Sequence, residues 1–237
     1  MTKVVELVGL SGSGKTTILR RCFLTNGITQ KLHTDVKVVK LKKPYIFTQL
    51  AAFVIIIFKI FVKSPLTLYY LMSNKFGIGL LLKLSYRNSM KRDILRNNNT
   101  IYIIEDSGVL MPIISSVIED NISWNKISLP VLLGVINLPD YCIFVKTKSE
   151  KAYTRFITRQ QSRDRNTALP VFGDRSRIDS VPKHKFINAE CYVERLKHCL
   201  NNKGKVICYE YDNSNTEINC NKINLILLQI EQHRYGI

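Results

Sequence analysis

A glycine-rich loop near the amino terminus carries residue types that bind a triphosphate. Residues Gly9 to Thr16 read GLSGSGKT and match the pattern GxxxxGK[ST] in full. An apolar run precedes this loop and a helix-compatible segment follows it, which is the order that the pattern requires. Glycines let backbone N–H groups turn towards phosphates, while lysine and threonine serve the phosphates and Mg²⁺. The sequence therefore predicts a site for ATP and Mg²⁺ formed by Gly9, Ser11, Gly12, Ser13, Gly14, Lys15, Thr16 and Thr17.

Two carboxylates follow an apolar run in the middle of the chain. The run Ile101 to Ile104 has the pattern of a buried strand, and Glu105 and Asp106 come directly after it. An acid at the end of a strand beside the phosphate loop can hold Mg²⁺ or orient an attacking hydroxyl. We expect Asp106 to hold the metal together with Thr16, and Glu105 is the second candidate. The alternative is that both acids only cap the next helix.

Four arginines within eleven residues form a second cluster of catalytic candidates. Arg155, Arg159, Arg163 and Arg165 are spaced by four, four and two residues. Guanidinium groups neutralise the charge of a transferring phosphoryl group without losing their own. The spacing predicts a phosphate clamp, and the alternative is an exposed basic helix face. The catalytic candidates are Lys15, Glu105, Asp106, Arg155, Arg159 and Arg163.

These residues need a scaffold, and five short β-like runs alternate with helical stretches. Runs rich in Val and Ile predict an α/β fold with a five-stranded parallel sheet and helices on both faces. A last helix is expected from Thr216 to about His233, with Ile223, Ile226, Leu227 and Ile230 on one stripe. The chain, 1–237, reads as a single domain. The predicted strands are Val4 to Leu10, Val36 to Lys42, Thr100 to Glu105, Tyr141 to Thr147 and Lys205 to Asp212.

The segment 44–97 is an unusual helical insertion between two predicted strands. Its uncharged stretch, Pro44 to Phe58, has 15 residues, whereas about 20 are needed to span a bilayer. A single crossing would also separate two strands of one sheet. The apolar helix is therefore expected to be buried, to form a homodimer interface, or to lie on an anionic membrane with Lys59 and Lys63 at the headgroups.

Charge and cysteine usage limit the partners and the compartment. The chain has 237 residues with Lys+Arg 35 against Asp+Glu 18, a net charge of +17, which favours an anionic partner without choosing one. The six cysteines are scattered without a CxxC pair, so we expect reduced thiols. The start of the sequence lacks a signal-peptide pattern. A cytoplasmic protein is expected, with peripheral contact at the inner face of the membrane as a variant.

The sequence resembles the thymidylate kinase branch of the P-loop nucleoside and nucleotide kinases over nearly its whole length. Besides the phosphate loop, Leu138 to Val145 is similar to that family's entry to the fourth strand, and Ser149 to Arg155 to the helix that follows. The resemblance implies an ATP-dependent kinase with an arginine-bearing lid, here 155–168. It also implies that Arg155 and Arg159 contact the phosphates.

The departures from that family fall where the acceptor would bind. The family's Arg-Glu-Pro corresponds to Lys42-Lys43-Pro44, its Asp-Arg-aromatic to Asp106-Ser107-Gly108, and its Asp-Arg pair to Tyr86-Arg87. Lys42, Lys43 and Arg87 predict an anionic acceptor other than thymidylate. A phosphorylated or acidic sugar of a cell-surface glycan is one such acceptor, and a true thymidylate or nucleotide kinase is the alternative.

A P-loop NTPase that acts as a switch or binds nucleic acid is the competing function. No guanine-recognition motif Asn-Lys-x-Asp follows the fourth strand, because Asn125-Lys126 continues as Ile127-Ser128. The aromatic residues form no RNA-binding signature. The sequence therefore favours in-line transfer of the γ-phosphoryl group to an acceptor hydroxyl, and a nucleic-acid partner is not expected.

Overall fold

The computed structural model describes residues 2–25, 35–39, 46–94, 100–104, 108–119, 122–166, 181–204, 206–214 and 218–235. Five strands lie within these ranges. They are β1 Lys3–Val8, β2 Asp35–Val39, β3 Thr100–Ile104, β4 Tyr141–Lys146 and β5 Ile207–Asp212.

Nine α-helices lie in the same ranges, with a π-helical turn at Arg20–Thr25 and a 3-10 turn at Trp124–Lys126. The α-helices are α1 Lys15–Leu19, α2 Ile46–Lys63, α3 Pro65–Met72, α4 Lys75–Ile94, α5 Met111–Glu119, α6 Leu129–Leu133, α7 Ser149–Asn166, α8 Lys183–Asn202 and α9 Cys220–Tyr235.

The strands form one parallel sheet in the order β2-β3-β1-β4-β5. The predicted α/β fold with a five-stranded parallel sheet is therefore confirmed. Strand bounds differ slightly, and β1 ends at Val8, two residues earlier than predicted. The phosphate loop leaves the sheet at Gly9, which is why the apolar Leu10 no longer belongs to the strand. β1 is central, so the loop that follows it lies at the middle of the sheet's carboxyl edge.

Helices cover both faces of the sheet, as the apolar strands predict. Side chains of β1 alternate, with Val8 in one hydrophobic cluster and Val5 and Leu7 in the other. The first cluster contains residues of α2, α4, α5 and α8, and the second contains residues of α1 and α9. The predicted stripe of the last helix is buried in this second cluster, although the helix begins at Cys220 and not at Thr216.

The described part of the segment 44–97 consists of α2, α3 and α4. Only Ala52, Ile56 and Ile60 of α2 are buried, so burial in the core, one of the three alternatives, accounts for only part of this helix. By length and composition, with a mean hydropathy of 2.1, Ile46–Lys63 could cross a membrane. The chain order argues against a crossing, because β2 and β3 flank this segment and pair in parallel in one sheet.

Cys22 and Cys220 form a disulfide with their Cα atoms 5.3 Å apart. The expectation of six reduced thiols is therefore wrong for this pair. The two residues are 198 positions apart in sequence, so no local spacing indicated that they meet. The bond joins the π-helical turn after α1 to the first residue of α9.

Candidate active site

The phosphate loop, residues 9–14, joins β1 to α1. Gly12 has φ +82° and Gly14 has φ +93°, which are left-handed conformations that glycine adopts without strain. A side chain at Gly12 would also collide with the backbone carbonyl of Ala152 in α7. Glycine is therefore required at positions 12 and 14 for the turn, and at position 12 also for the close approach of α7.

Lys15 binds the loop itself through its ammonium group. Its Nζ donates to the carbonyl oxygens of Gly9 at 2.9 Å and Leu10 at 2.8 Å, and to Ser13 Oγ at 3.2 Å. Burial, reinforced by the charge of Arg159, lowers the pKa of Lys15 to about 7, while the charge of Glu6 opposes this shift. A phosphate at the loop would favour the charged ammonium, since an opposite charge raises the pKa of an amine.

Two polar residues at the carboxyl ends of neighbouring strands hold the loop from behind. Asn213, directly after β5, donates its Nδ2 to the carbonyl oxygen of Ser13 at 2.6 Å. Thr147, directly after β4, donates its hydroxyl to the same oxygen at 3.3 Å. Sequence reasoning missed both residues, although a polar residue at the carboxyl end of a parallel strand is the signal that could have found them.

α7 brings two of the predicted arginines to the loop. Ala152, Arg155 and Arg159 are spaced by three and four residues, so they share one helix face, and Ala152 contacts Gly12. Arg155 and Arg159 line a cleft of about 280 Å³, the donor-side cleft. Residues 155–166 of the predicted lid belong to α7, but the side chains of Arg163 and Arg165 lie outside the described residues. The other lining residues are Gly12, Gly14, Thr17, Arg21, Asn213 and Ile218.

A second cleft, of about 510 Å³, borders the loop at Ser11, and we call it the acceptor-side cleft. Lys83, Tyr86 and Arg87 of α4 line it, and the guanidinium carbon of Arg87 lies 5.5 Å from the centroid of the Tyr86 ring. Among its described lining residues two are cationic and none is acidic. The remaining lining residues are Gln49, Leu82, Met111, Pro112 and Ser115.

Glu6 is a buried acid that sequence reasoning missed. It is 1% exposed, and its two carboxylate oxygens each accept a backbone N–H at 3.0 Å, from Val109 and Leu110. Burial raises the pKa of Glu6 to about 7, against the lowering effect of these N–H groups and of Arg87. A side chain at Gly108 would collide with the Glu6 carboxylate. Glu6 therefore fixes the turn that leads from β3 to α5.

The structure brings together the phosphate-loop residues and two of the three arginines predicted to be catalytic. Thr16 and Thr17 are exposed in the first turn of α1, so their hydroxyls are accessible to a ligand. Glu105, Asp106, Lys42 and Lys43 lie outside the described residues. Their predicted roles in metal and acceptor binding stay predictions.

No family profile and no curated protein sequence matches the chain. Among solved structures, the chain is similar to deoxyadenosine kinase from M. mycoides with bound dATP, at 13% identity and a TM-score of 0.46, over 96% of this chain and 98% of that one. It is also similar to the same enzyme with bound dCTP, at 14% identity and a TM-score of 0.45, over 97% and 99% of the two chains. The fold is assigned from this chain's own strand order and phosphate loop. Membership of the thymidylate kinase branch stays a prediction.

Proposed function

We propose that the protein is an ATP-dependent kinase that transfers the γ-phosphoryl group to a small-molecule acceptor. One observation carries this proposal: two clefts border the same phosphate loop, share no lining residue, and both contain arginine. A hydrolase needs a single nucleotide site, whereas a phosphotransferase needs a donor site and an acceptor site that meet at the transferred group.

On the donor side, the loop N–H groups and Lys15 would bind the β- and γ-phosphates of ATP. Lys15 would exchange its bonds with the loop carbonyls for bonds with phosphate oxygens. Arg155 and Arg159 would neutralise charge that develops on the transferring group. Thr16 and Asp106 are the residues proposed to hold Mg²⁺, which when bound supplies further charge neutralisation at the phosphates.

On the acceptor side, the lining residues favour a nucleoside or a nucleoside monophosphate. A volume of about 510 Å³ falls in the range of roughly 300 to 1,000 Å³ that small-molecule sites occupy. Tyr86 offers an aromatic ring, Gln49 an amide that can pair with a base edge, and Arg87 a cation for a phosphate. No described lining residue specifically favours a glycan acceptor, so the sugar expected from the sequence is retained only as a test substrate.

The test is phosphate transfer from γ-labelled ATP to a panel of acceptors. Each acceptor is incubated with the purified protein, labelled ATP and Mg²⁺. The panel contains nucleosides, nucleoside monophosphates including thymidylate, sugar phosphates and acidic sugars. Transfer to a nucleoside or a nucleoside monophosphate is expected, and thymidylate should be a poor acceptor. Hydrolysis of ATP to inorganic phosphate, with no labelled phosphate on any acceptor, would overturn the kinase assignment and favour the P-loop NTPase switch.

Lys15→Ala is the matching loss-of-function variant. Transfer should fall by at least about a hundredfold, since the variant removes a charge from the phosphates. The melting temperature should change little, because the cost of burying the ammonium, which lowers its pKa, offsets its three bonds to the loop. Lys126→Ala, an exposed lysine over the Tyr70 ring, is the control and should keep full activity. Retained transfer by correctly folded Lys15→Ala would exclude this loop as the catalytic site.

A further inference from the structure

One face of α2 is exposed and apolar along the whole helix. Its positions cover an arc of about 140° at 100° per residue, and 18 residues extend roughly 27 Å. Phe47 is 85% exposed and Phe58 66%. The residues of this apolar face are Phe47, Leu50, Ala51, Val54, Ile55, Phe58, Phe61 and Val62.

The apolar face is not the side of α2 that packs against the rest of the fold. On the other side of the helix, Ala52, Ile56 and Ile60 are buried, and Ile56 and Ile60 pack in the hydrophobic cluster that also contains residues of α4. A surface helix normally turns polar residues to solvent, and a large exposed apolar patch indicates an interaction surface. Leu66 and Tyr69 of α3, 62% and 65% exposed, add to the exposed apolar surface of this region.

The charge around the apolar face selects the class of partner. The sequence from 44 to 92 contains no Asp or Glu. Lys59 is exposed and lies at one border of the face, near Ile55 and Val62 by helical spacing. The cations of this segment are Lys59, Lys63, Lys75, Lys83, Arg87, Lys91 and Arg92.

We infer that the apolar face of α2 docks on a membrane surface that contains anionic lipid, with the helix parallel to the bilayer. Aromatic and aliphatic side chains would enter the boundary between headgroups and acyl chains, and Lys59 would contact the headgroups. A second copy of the chain fits less well, because each copy carries a net charge of +17 and this region offers no acid to pair with the partner's lysines.

Docking would also place the acceptor-side cleft near the bilayer. Gln49, in the first turns of the same helix, lines that cleft, and a helix with its side chains is about 10 Å across. The cleft would then be within about one helix width of the headgroups. The docking itself requires neither ATP nor catalysis, so it stands or falls independently of the proposed kinase activity.

Vesicle flotation with the purified full chain tests the inference. Vesicles of phosphatidylcholine alone are compared with vesicles that contain phosphatidylserine, at low and at high salt. The protein should float with the anionic vesicles, and binding should fall roughly tenfold at high salt as lysine–headgroup attraction is screened. Absence of binding to anionic vesicles at low salt, or equal binding to neutral ones, would overturn the inference.

Two pairs of variants distinguish binding through the apolar face of α2 from non-specific adsorption through other exposed apolar or cationic residues. Phe47→Gln with Phe58→Gln should lower the partition coefficient by about a hundredfold or more, whereas Ile187→Gln with Leu225→Gln, on exposed positions of α8 and α9, should not. Lys59→Glu should lower it by about thirtyfold, since two units of charge are changed, and Lys222→Glu should have little effect by comparison.

Self-association is measured on the same proteins by sedimentation equilibrium without lipid. The wild-type chain and the Phe47→Gln, Phe58→Gln variant should sediment as the same species. A wild-type dimer that this variant dissociates would overturn the membrane assignment and make a second copy the occupant of the apolar face. Retained circular dichroism of α-helix in every variant shows that a loss of binding is not a loss of fold.

Discussion

Replacing Glu6 by Gln should change how the stability of the protein depends on pH. The side chain keeps its shape in this variant, but it can no longer ionise. In the wild type, burial raises the pKa of Glu6 from 4.5 to about 7. An acid whose pKa is raised by folding stabilises the fold fully below its unfolded pKa, and this contribution is lost as pH rises through the folded pKa.

The size of the effect follows from the shift in pKa. About 2.5 pH units at about 1.4 kcal/mol per unit give about 3 kcal/mol, which the wild type loses between about pH 4.5 and pH 7. In the Gln variant, residue 6 makes no contribution to the pH dependence of the free energy of unfolding. At low pH the neutral carboxyl and the amide each offer one acceptor to Val109 N and Leu110 N, so the two proteins should differ by only about 1 kcal/mol.

The measurement is urea unfolding of both proteins at several pH values between 4.5 and 8. The free energy of unfolding of Glu6→Gln minus that of the wild type should increase by up to about 3 kcal/mol over this range. Titrating groups that do not interact with Glu6 cancel in the difference, whereas Lys15, whose pKa the charge of Glu6 raises, cancels only in part. Glu194→Gln, at an exposed position of α8, serves as the control and should parallel the wild type. Parallel profiles for Glu6→Gln and the wild type would show that burial does not shift the pKa of Glu6.

Arg159→Ala should lower the rate of phosphoryl transfer far more than it weakens ATP binding, because a clamp on the transferring group acts in the transition state; weaker ATP binding with unchanged turnover would make it a ground-state contact. Arg87→Ala should raise KM for the acceptor about tenfold with unchanged ATP affinity, and an equal loss of ATP affinity would contradict its place in the acceptor-side cleft. Asn213→Ala should lower the melting temperature by about 2 to 4 °C, since one buried bond to Ser13 is worth about 1 kcal/mol. An unchanged melting temperature would show that this bond does not stabilise the loop.

The three central strands β1, β3 and β4 were predictable because they are short apolar runs that are buried on both faces. Each apolar run by itself predicts a strand, and the phosphate loop identifies the strand that leads into the site. The apolar stripe of α9 was predictable for the same reason, since Ile223, Ile226, Leu227 and Ile230 follow helical periodicity. In all these cases the information lies within a few residues of the feature.

Features that depend on distant parts of the chain were not predictable in this way. Glu6 reads as an isolated acid in an apolar strand, and only the fold brings it to Val109, 103 residues later. Asn213 meets Ser13 across 200 residues. The exposure of α2 was undetermined for a related reason: apolar composition indicates burial against something, but the sequence does not say whether that is core, partner or lipid.

The disulfide closes residues 22–220 into a covalent ring. It links Cys22 to Cys220 across 198 positions, so four of the five strands lie on the ring, whereas β1 and the phosphate loop precede it. In the chain-entropy view, closing a loop of this length stabilises the fold by about 5 kcal/mol. A single proteolytic cut in any surface loop of the ring would leave both fragments joined through sulfur. Such a nicked protein would migrate as two pieces only after reduction.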